Sequence, residues 1–312
     1  MSAYGVFLPT FEAAAPVSAE RIRVIARRAE ERGLAHLWVG DHLVWNVGML
    51  ASMAVLSHVA AVTSTIRLGT AVYLLPLRHP VLAAKDVAAV DVLSGGRLVL
   101  GVGVGGENPL EYAAVDVPLR RRGARIEESV AQLRSLLQQE CARLDGEFTT
   151  VPAVTLAPPP VQKSVPLWMG GRAQAVVDRA ADLADGYFPV WVSTRRYRQV
   201  VDRVAERRGH LDGFAFALNI FTFVGESKEA ARTVLAAHMQ AAYGLPFKTF
   251  EKYAAYGTPD QVGEVLAEYR DAGVTDFALN LAGPDPDGQL EALADVVDGL
   301  ENGGAAPASA TD

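Results

Sequence analysis

Short apolar runs alternate with longer segments of helical periodicity along almost the whole chain. The runs fall at residues 4–8, 37–40, 66–72, 97–104, 166–169, 186–189, 214–224 and 276–281. The amphipathic segments between them are long enough for crossover helices, and repeated strand–helix units build a parallel sheet. Eight such units predict an α/β chain folded as a single (β/α)8 TIM barrel rather than an open doubly wound sheet. The run at 97–104 is apolar at nearly every position, as expected for a strand covered on both faces. Ser18 is placed to cap the first helix and Gly33 to stop it, while Thr258-Pro259 supplies an N-cap and first-turn proline for a later one. A helical stretch is predicted over about 120–140 and helical segments over 228–256. Residues 145–164 break the rhythm. Pro152 and the Pro158-Pro159-Pro160 run forbid a long helix there. This Pro-rich excursion after the fourth βα unit is expected to fold over the barrel. Residues 1–301 read as one domain, and the Gly/Ala/Pro/Ser-rich stretch 302–312 as a disordered tail.

Composition narrows the function. Half of the residues are hydrophobic and 21% are charged, which suits a globular chain with a large core. The net charge of -7 argues against nucleic-acid binding, which needs a basic surface. A single cysteine, Cys141, excludes an intrachain disulfide and fits a reducing, cytoplasmic setting. No secretory leader and no membrane span are expected, because the chain enters an apolar strand directly and lacks any apolar run of 18 residues.

In a barrel the reactive groups follow the strands, and four clusters do so. Asp41-His42 follows the second run. Histidine titrates near neutral pH and moves protons, and a neighbouring carboxylate can bind cofactor hydroxyls; the plainer reading is a structural polar pair. Gly69-Thr70-Ala71-Val72 ends the third run with small residues that leave room for a planar ring; a packing glycine is the alternative. Gly101-Val102-Gly103-Val104-Gly105-Gly106-Glu107-Asn108 ends the fourth. These glycines lie in and just after a strand, with Pro109 following, so they do not open a helix as a dinucleotide fingerprint does. Close packing against a flat cofactor suits them better. Gly170-Gly171-Arg172-Ala173-Gln174 joins the fifth run to its helix, whose N-terminal N–H groups can bind phosphate; a tight βα turn is the alternative. Arg120, Arg121, Arg122 and Arg125 form a basic cluster, usually a solvated face, that can attract an anionic tail. No metal-ligand spacing and no G-x-S-x-G elbow occur.

Several segments, in order, resemble the luciferase-like monooxygenase superfamily of FMN- and F420-using TIM barrels. They include Gly5-Val6-Phe7-Leu8-Pro9, Trp38-Val39-Gly40-Asp41-His42, Ile66-Arg67-Leu68-Gly69-Thr70-Ala71-Val72, Arg78-His79-Pro80 and Leu93-Ser94-Gly95-Gly96-Arg97. The glycine-rich fourth strand, Pro166-Leu167-Trp168-Met169-Gly170-Gly171, Asp185-Gly186-Tyr187 and Gly257-Thr258-Pro259-Asp260-Gln261-Val262 continue it. The resemblance implies catalytic roles for His42 and Asp41, with Asp41 also touching the cofactor. It implies a non-proline cis peptide at Ala71–Val72, pressed against the ring. Val104, Gly105 and Gly106 would line the ring, and Gly170, Gly171 and the amides of Arg172, Ala173 and Gln174 would hold the phosphate. Ala173 stands where a hydroxyl residue is common, and Glu107 lies one position from the glutamate that acts as acid or base in some relatives. The Asp-His and His-Pro pairs favour F420, with hydride transfer to or from a small organic substrate. The alternatives are an FMN-dependent, two-component monooxygenase and a catalytically silent flavin-binding barrel. A separate flavin or F420 reductase and a homodimer are the implied partners. The loop after the fourth strand, the excursion and the aromatics of 247–256 are expected to shape a partly apolar substrate pocket.

Overall fold

The structure, a computed structural model, describes residues 2–12, 16–105 and 108–302. Its strands are β1 (Ala3–Phe7), β2 (His36–Val39), β3 (Arg67–Tyr73), β4 (Leu98–Val102), β5 (Ala142–Asp145), β6 (Thr150–Val154), β7 (Leu167–Met169), β8 (Gly186–Tyr187), β9 (Ala215–Val224), β10 (Ala255–Gly257) and β11 (Asp276–Leu281). Eight of these close a parallel ring in the order β1-β2-β3-β4-β7-β8-β9-β11 and back to β1. All eight apolar runs are thus barrel strands. β10 pairs only with the last residues of β9, and β5 and β6 form a separate antiparallel hairpin.

The helices are α1 (Ala19–Glu31), α2 (Ser52–Ala60), α3 (Pro80–Ser94), α4 (Pro109–Ala113), α5 (Arg122–Gln138), α6 (Gln174–Leu183), α7 (Thr194–Arg208), α8 (Lys228–Tyr243), α9 (Pro259–Asp271) and α10 (Pro286–Asn302). Ser18 caps α1, and Thr258 and Gln261 form a capping box on α9. Gly244 ends α8 in the left-handed region, and Pro246 prevents its resumption. Residues 247–256 are therefore two 3-10 turns leading into β10, not a continuous helical segment. Asn302, the first residue of the expected tail, closes α10, and 303–312 lie outside the described residues. No helix among the described residues is long and apolar enough to cross a membrane.

Strand alternation sends one set of side chains outward to the helices and the other into the ring. Inside, Trp38, Trp168 and Phe188 meet with centroids 4.7–5.8 Å apart. A Cβ at Gly69 would fall 2.2 Å from the Trp38 ring. The space left by Gly69 is therefore filled by this tryptophan, not by a ligand ring. The Ser94-Gly95-Gly96-Arg97 turn is also architectural. Gly95 and Gly96 take φ of 67° and 82°. Arg97 then donates to the Ala60, Thr63 and Ile66 carbonyls, tying α2 to the start of β3.

The Pro-rich excursion does not fold over the mouth. Asp91, buried on α3, accepts hydrogen bonds from Gln162 N at 2.9 Å and Gln162 Nε2 at 2.7 Å. Glu128 on α5 accepts from the Phe148 and Thr149 amides. These carboxylates draw residues 145–164 down the α3–α5 flank, and none of them lines the cavity at the strand ends.

Candidate active site

A cavity of about 340 Å³ opens at the C-terminal ends of the barrel strands. That is within the usual range for a small-molecule site, ~300–1,000 Å³. It gathers residues from all four sequence clusters: Asp41 and His42, Ala71 and Val72, Val104 and Gly105, and Gly170 to Ala173. Gly106 and Glu107 lie outside the described residues.

The third strand ends in a bulge. The Ala71–Val72 peptide is cis, and the β3–β4 register shifts between Thr70 and Tyr73. The glycines opposite are shaped to this bulge. A Cβ at Gly101 would lie 2.1 Å from the Thr70 carbonyl oxygen, and one at Gly103 2.4 Å from a Val72 methyl. A Cβ at Gly170 would fall 2.7 Å from the other Val72 methyl. These three glycines therefore admit the bulge, which in turn forms the cavity wall. The wall is flat because Ala71, Val72 and Gly105 present only small groups to it.

Asp41 and His42 occupy adjacent positions but do different work. The Asp41 carboxylate is buried and fully engaged. Oδ1 accepts from Ser52 Oγ at 3.0 Å and Arg78 Nη2 at 2.9 Å, and Oδ2 from the Leu74 amide at 2.9 Å. Arg78 also lies over the Tyr73 ring at 3.9 Å. Asp41 thus fixes the chain just beyond the bulge. His42 is held by a residue that the sequence reading did not single out. Its Nδ1 lies 3.0 Å from Glu111 Oε2, on α4. Glu111 is completely buried, and its other oxygen accepts from the Leu43 amide at 2.7 Å. Burial works against its charge, but the His42 hydrogen bond and the Leu43 and Val44 amides prevail and hold the carboxyl below its ordinary pKa. An ionised carboxylate only accepts, so Nδ1 carries the proton of this bond, and in the neutral tautomer Nε2 is the acceptor. The imidazole also stacks on Trp45, centroids 3.8 Å apart and planes 18° apart. Trp45 Nε1 donates to the Ala242 carbonyl on α8 at 2.9 Å.

The opposite rim is the start of α6. Ala173 is its N-cap and provides no side-chain hydrogen bond. Gly171 takes φ of 143°, and its carbonyl accepts from Tyr187 Oη at 2.8 Å. No side-chain oxygen therefore caps the first-turn N–H groups of α6. Arg172 and Arg122, the latter from α5, line the same rim. The Gln174 side chain turns away to Arg196 and Asp178, while its backbone N–H opens the first turn of α6. The aromatic lining comes from Phe7, Phe11, Trp45, Phe188, Trp191 and Tyr243, not from 247–256. Phe250 supports Trp191 from behind, at 4.3 Å.

Residues 2–252 match the luciferase-like monooxygenase family. The chain belongs to that family. It is 35% identical over 170 residues to an F420-dependent glucose-6-phosphate dehydrogenase of Kineococcus radiotolerans, covering 52% of this chain and 50% of that protein. It is 30% identical over 223 residues to an FMNH2-dependent dimethylsulfone monooxygenase of Pseudomonas putida, covering 65% of this chain and 59% of that one. The chain spans about half the length of the curated relatives it matches. Its fold is that of a monooxygenase of Streptomyces bottropensis, with TM-score 0.83 and 21% identity over 97% of this chain and all of the other. The relatives it matches thus include both an F420-dependent and an FMNH2-dependent enzyme.

Proposed function

We propose that this protein is an F420-dependent oxidoreductase that transfers hydride to or from a small organic substrate at the mouth of the barrel. The observation that carries this reading is the buried Glu111–His42 pair beside the Ala71–Val72 bulge. The cavity suits a flat, phosphate-bearing cofactor. Ala71, Val72, Val104 and Gly105 would bear on its ring, and Gly171, Arg172 and Ala173 with the first turn of α6 would hold its phosphate. Bound F420 supplies a carbon that accepts or donates hydride. The protein's own part is the proton. As a substrate hydroxyl is oxidised, hydride leaves its carbon and the hydroxyl proton passes to His42 Nε2; in the reverse direction His42 returns it to the carbonyl oxygen. Glu111 holds the Nδ1 proton, so that Nε2 is the nitrogen that exchanges with substrate, and stabilises the imidazolium when it forms. Trp45 fixes the ring plane and shields that face from water. Asp41 sets the backbone that carries the wall and, being fully engaged within the chain, acts by positioning.

The second reading, an FMN-dependent monooxygenase served by a separate reductase, rests on the Pseudomonas putida relative, which matches a larger share of this chain. The test is turnover by His42→Ala with F420 and a panel of alcohols. Loss of turnover by about 100-fold or more, with cofactor affinity retained, is expected for a group that transfers the proton. Turnover with F420 by His42→Ala equal to that of the wild type would refute the role given to His42.

A further inference from the structure

The cavity is divided by strand. Every group assigned above to cofactor or proton stands on the side of β2, β3, β4 and β7. The side formed by β8, β9, β11 and β1 is different in kind. Phe7, Phe188, Val190 and Trp191 form an apolar wall that is interrupted by Asn219 on β9 and Asn280 on β11. The Asn280 amide donates to the Asn219 amide oxygen. Two amides joined by one hydrogen bond leave one oxygen and N–H groups unused, whichever way round the amide atoms are assigned. Among the described residues neither amide has another side-chain partner, and both residues are partly accessible.

The strands of this side contribute no charged residue to the lining, although the Arg172 guanidinium reaches over the Trp191 ring at 5.5 Å. Among the described residues no lysine lines the cavity and Asp41 is the acid that does; the arginines of the rim, Arg122 and Arg172, belong to α5 and the β7–α6 turn. Behind Asn280 a recess of about 70 Å³ shares Phe7, Phe11, Tyr243 and Asn280 with the main cavity. Thr10 and His238 line it, and each has a buried side-chain atom without a partner among the described residues. Burial pushes the His238 imidazole down to about 4, so it is neutral. Arg21, at the same recess, pairs with Asp287 at 3.6 Å.

We infer that this half is the substrate side, and that it selects a neutral, mainly apolar molecule bearing a hydroxyl or carbonyl oxygen held by the Asn219–Asn280 pair. A hydroxyl both donates and accepts, which matches the donor and acceptor left by two amides. β9 and β11 bring no cation to the lining, so a carboxylate or phosphate held by the two amides would be desolvated without a counter-charge from these strands. The assignment rests on the cofactor reading above, which allots the other half.

The test is calorimetric titration of the purified chain, saturated with F420 or FMN, using cyclohexanol, methylcyclohexane, cyclohexanecarboxylate and glucose 6-phosphate as probes. Cyclohexanol is expected to bind about tenfold or more tighter than each of the others, as a site left with unpaired polar groups discriminates. Asn219→Leu and Asn280→Leu should each weaken cyclohexanol about tenfold while leaving methylcyclohexane and cofactor within about twofold. Carboxylate or sugar phosphate binding as tightly as cyclohexanol overturns the proposal, as does unchanged cyclohexanol affinity in both variants or no binding of any probe. The wild-type ranking needs no variant to fold. If neither cofactor binds yet the ranking holds in the bare protein, the cofactor reading fails while the neutral-substrate side stands.

Discussion

At the scale of single residues, the protein separates charged groups that work from charged groups that hold. Asp41 and Glu111 are both buried carboxylates. Asp41 is spent on Ser52, Leu74 and Arg78, whereas Glu111 alone reaches His42. Glu111→Gln should therefore lower turnover about 100-fold, with cofactor affinity nearly unchanged, because an amide no longer fixes the Nδ1–H tautomer. A pH–rate profile would show the ring losing its acceptor; identical profiles would remove Glu111 from the scheme. His36 gives a purely structural prediction. It is buried between Trp38 and Trp168 with both ring nitrogens unpartnered among the described residues. Burial, helped by Arg67, pushes its pKa from 6.5 down to about 3. Between those values the unfolded chain binds more protons, so stability is whole above pH 6.5 and falls as pH drops toward 3, by up to ~1.4 kcal/mol per pH unit. Melting temperatures of His36→Leu between pH 7 and 4 should fall less steeply than those of the wild type. His42 was legible in the sequence because a strand-end position marks it. Glu111 was not, because it lies in a short helix beyond the glycine run, where Glu107 draws the eye and only tertiary folding brings the partner to His42.

At the scale of elements, hydrophobic runs located all eight barrel strands, since each is covered on both faces and needs a continuous apolar stretch. What the runs could not show is what the glycines are for. Gly69 receives Trp38, and Gly101, Gly103 and Gly170 receive the β3 bulge, contacts between strands that no single strand reveals. Nor could proline content place the excursion, which the Asp91 and Glu128 carboxylates draw to the outer flank. Gly103→Ala should be destabilising by about 1–3 kcal/mol, as overpacking against Val72 requires backbone movement; equilibrium denaturation measures it. The α6 N-terminus is the element on which cofactor affinity should depend most. Gly171 has φ of 143°, and its Cβ would lie 3.1 Å from Val176. Gly171→Val should weaken binding of a phosphate-bearing cofactor about tenfold or more by turning the first-turn N–H groups away. A cofactor titration as tight as that of the wild type would show that this helix end is not the anchor.

At the scale of the whole molecule, the barrel brings together groups 69 residues apart, His42 and Glu111. The mouth of the barrel is the proposed cofactor site, bounded by the β3 bulge, the start of α6 and the His42–Glu111 pair. Titration of the purified protein with F420 and with FMN, in parallel and followed by calorimetry, tests it most directly. The account expects F420 to bind with micromolar affinity or better and to be weakened about tenfold by Gly171→Val. Tight FMN binding with none for F420 would contradict the cofactor assignment, and binding of neither would contradict the site itself.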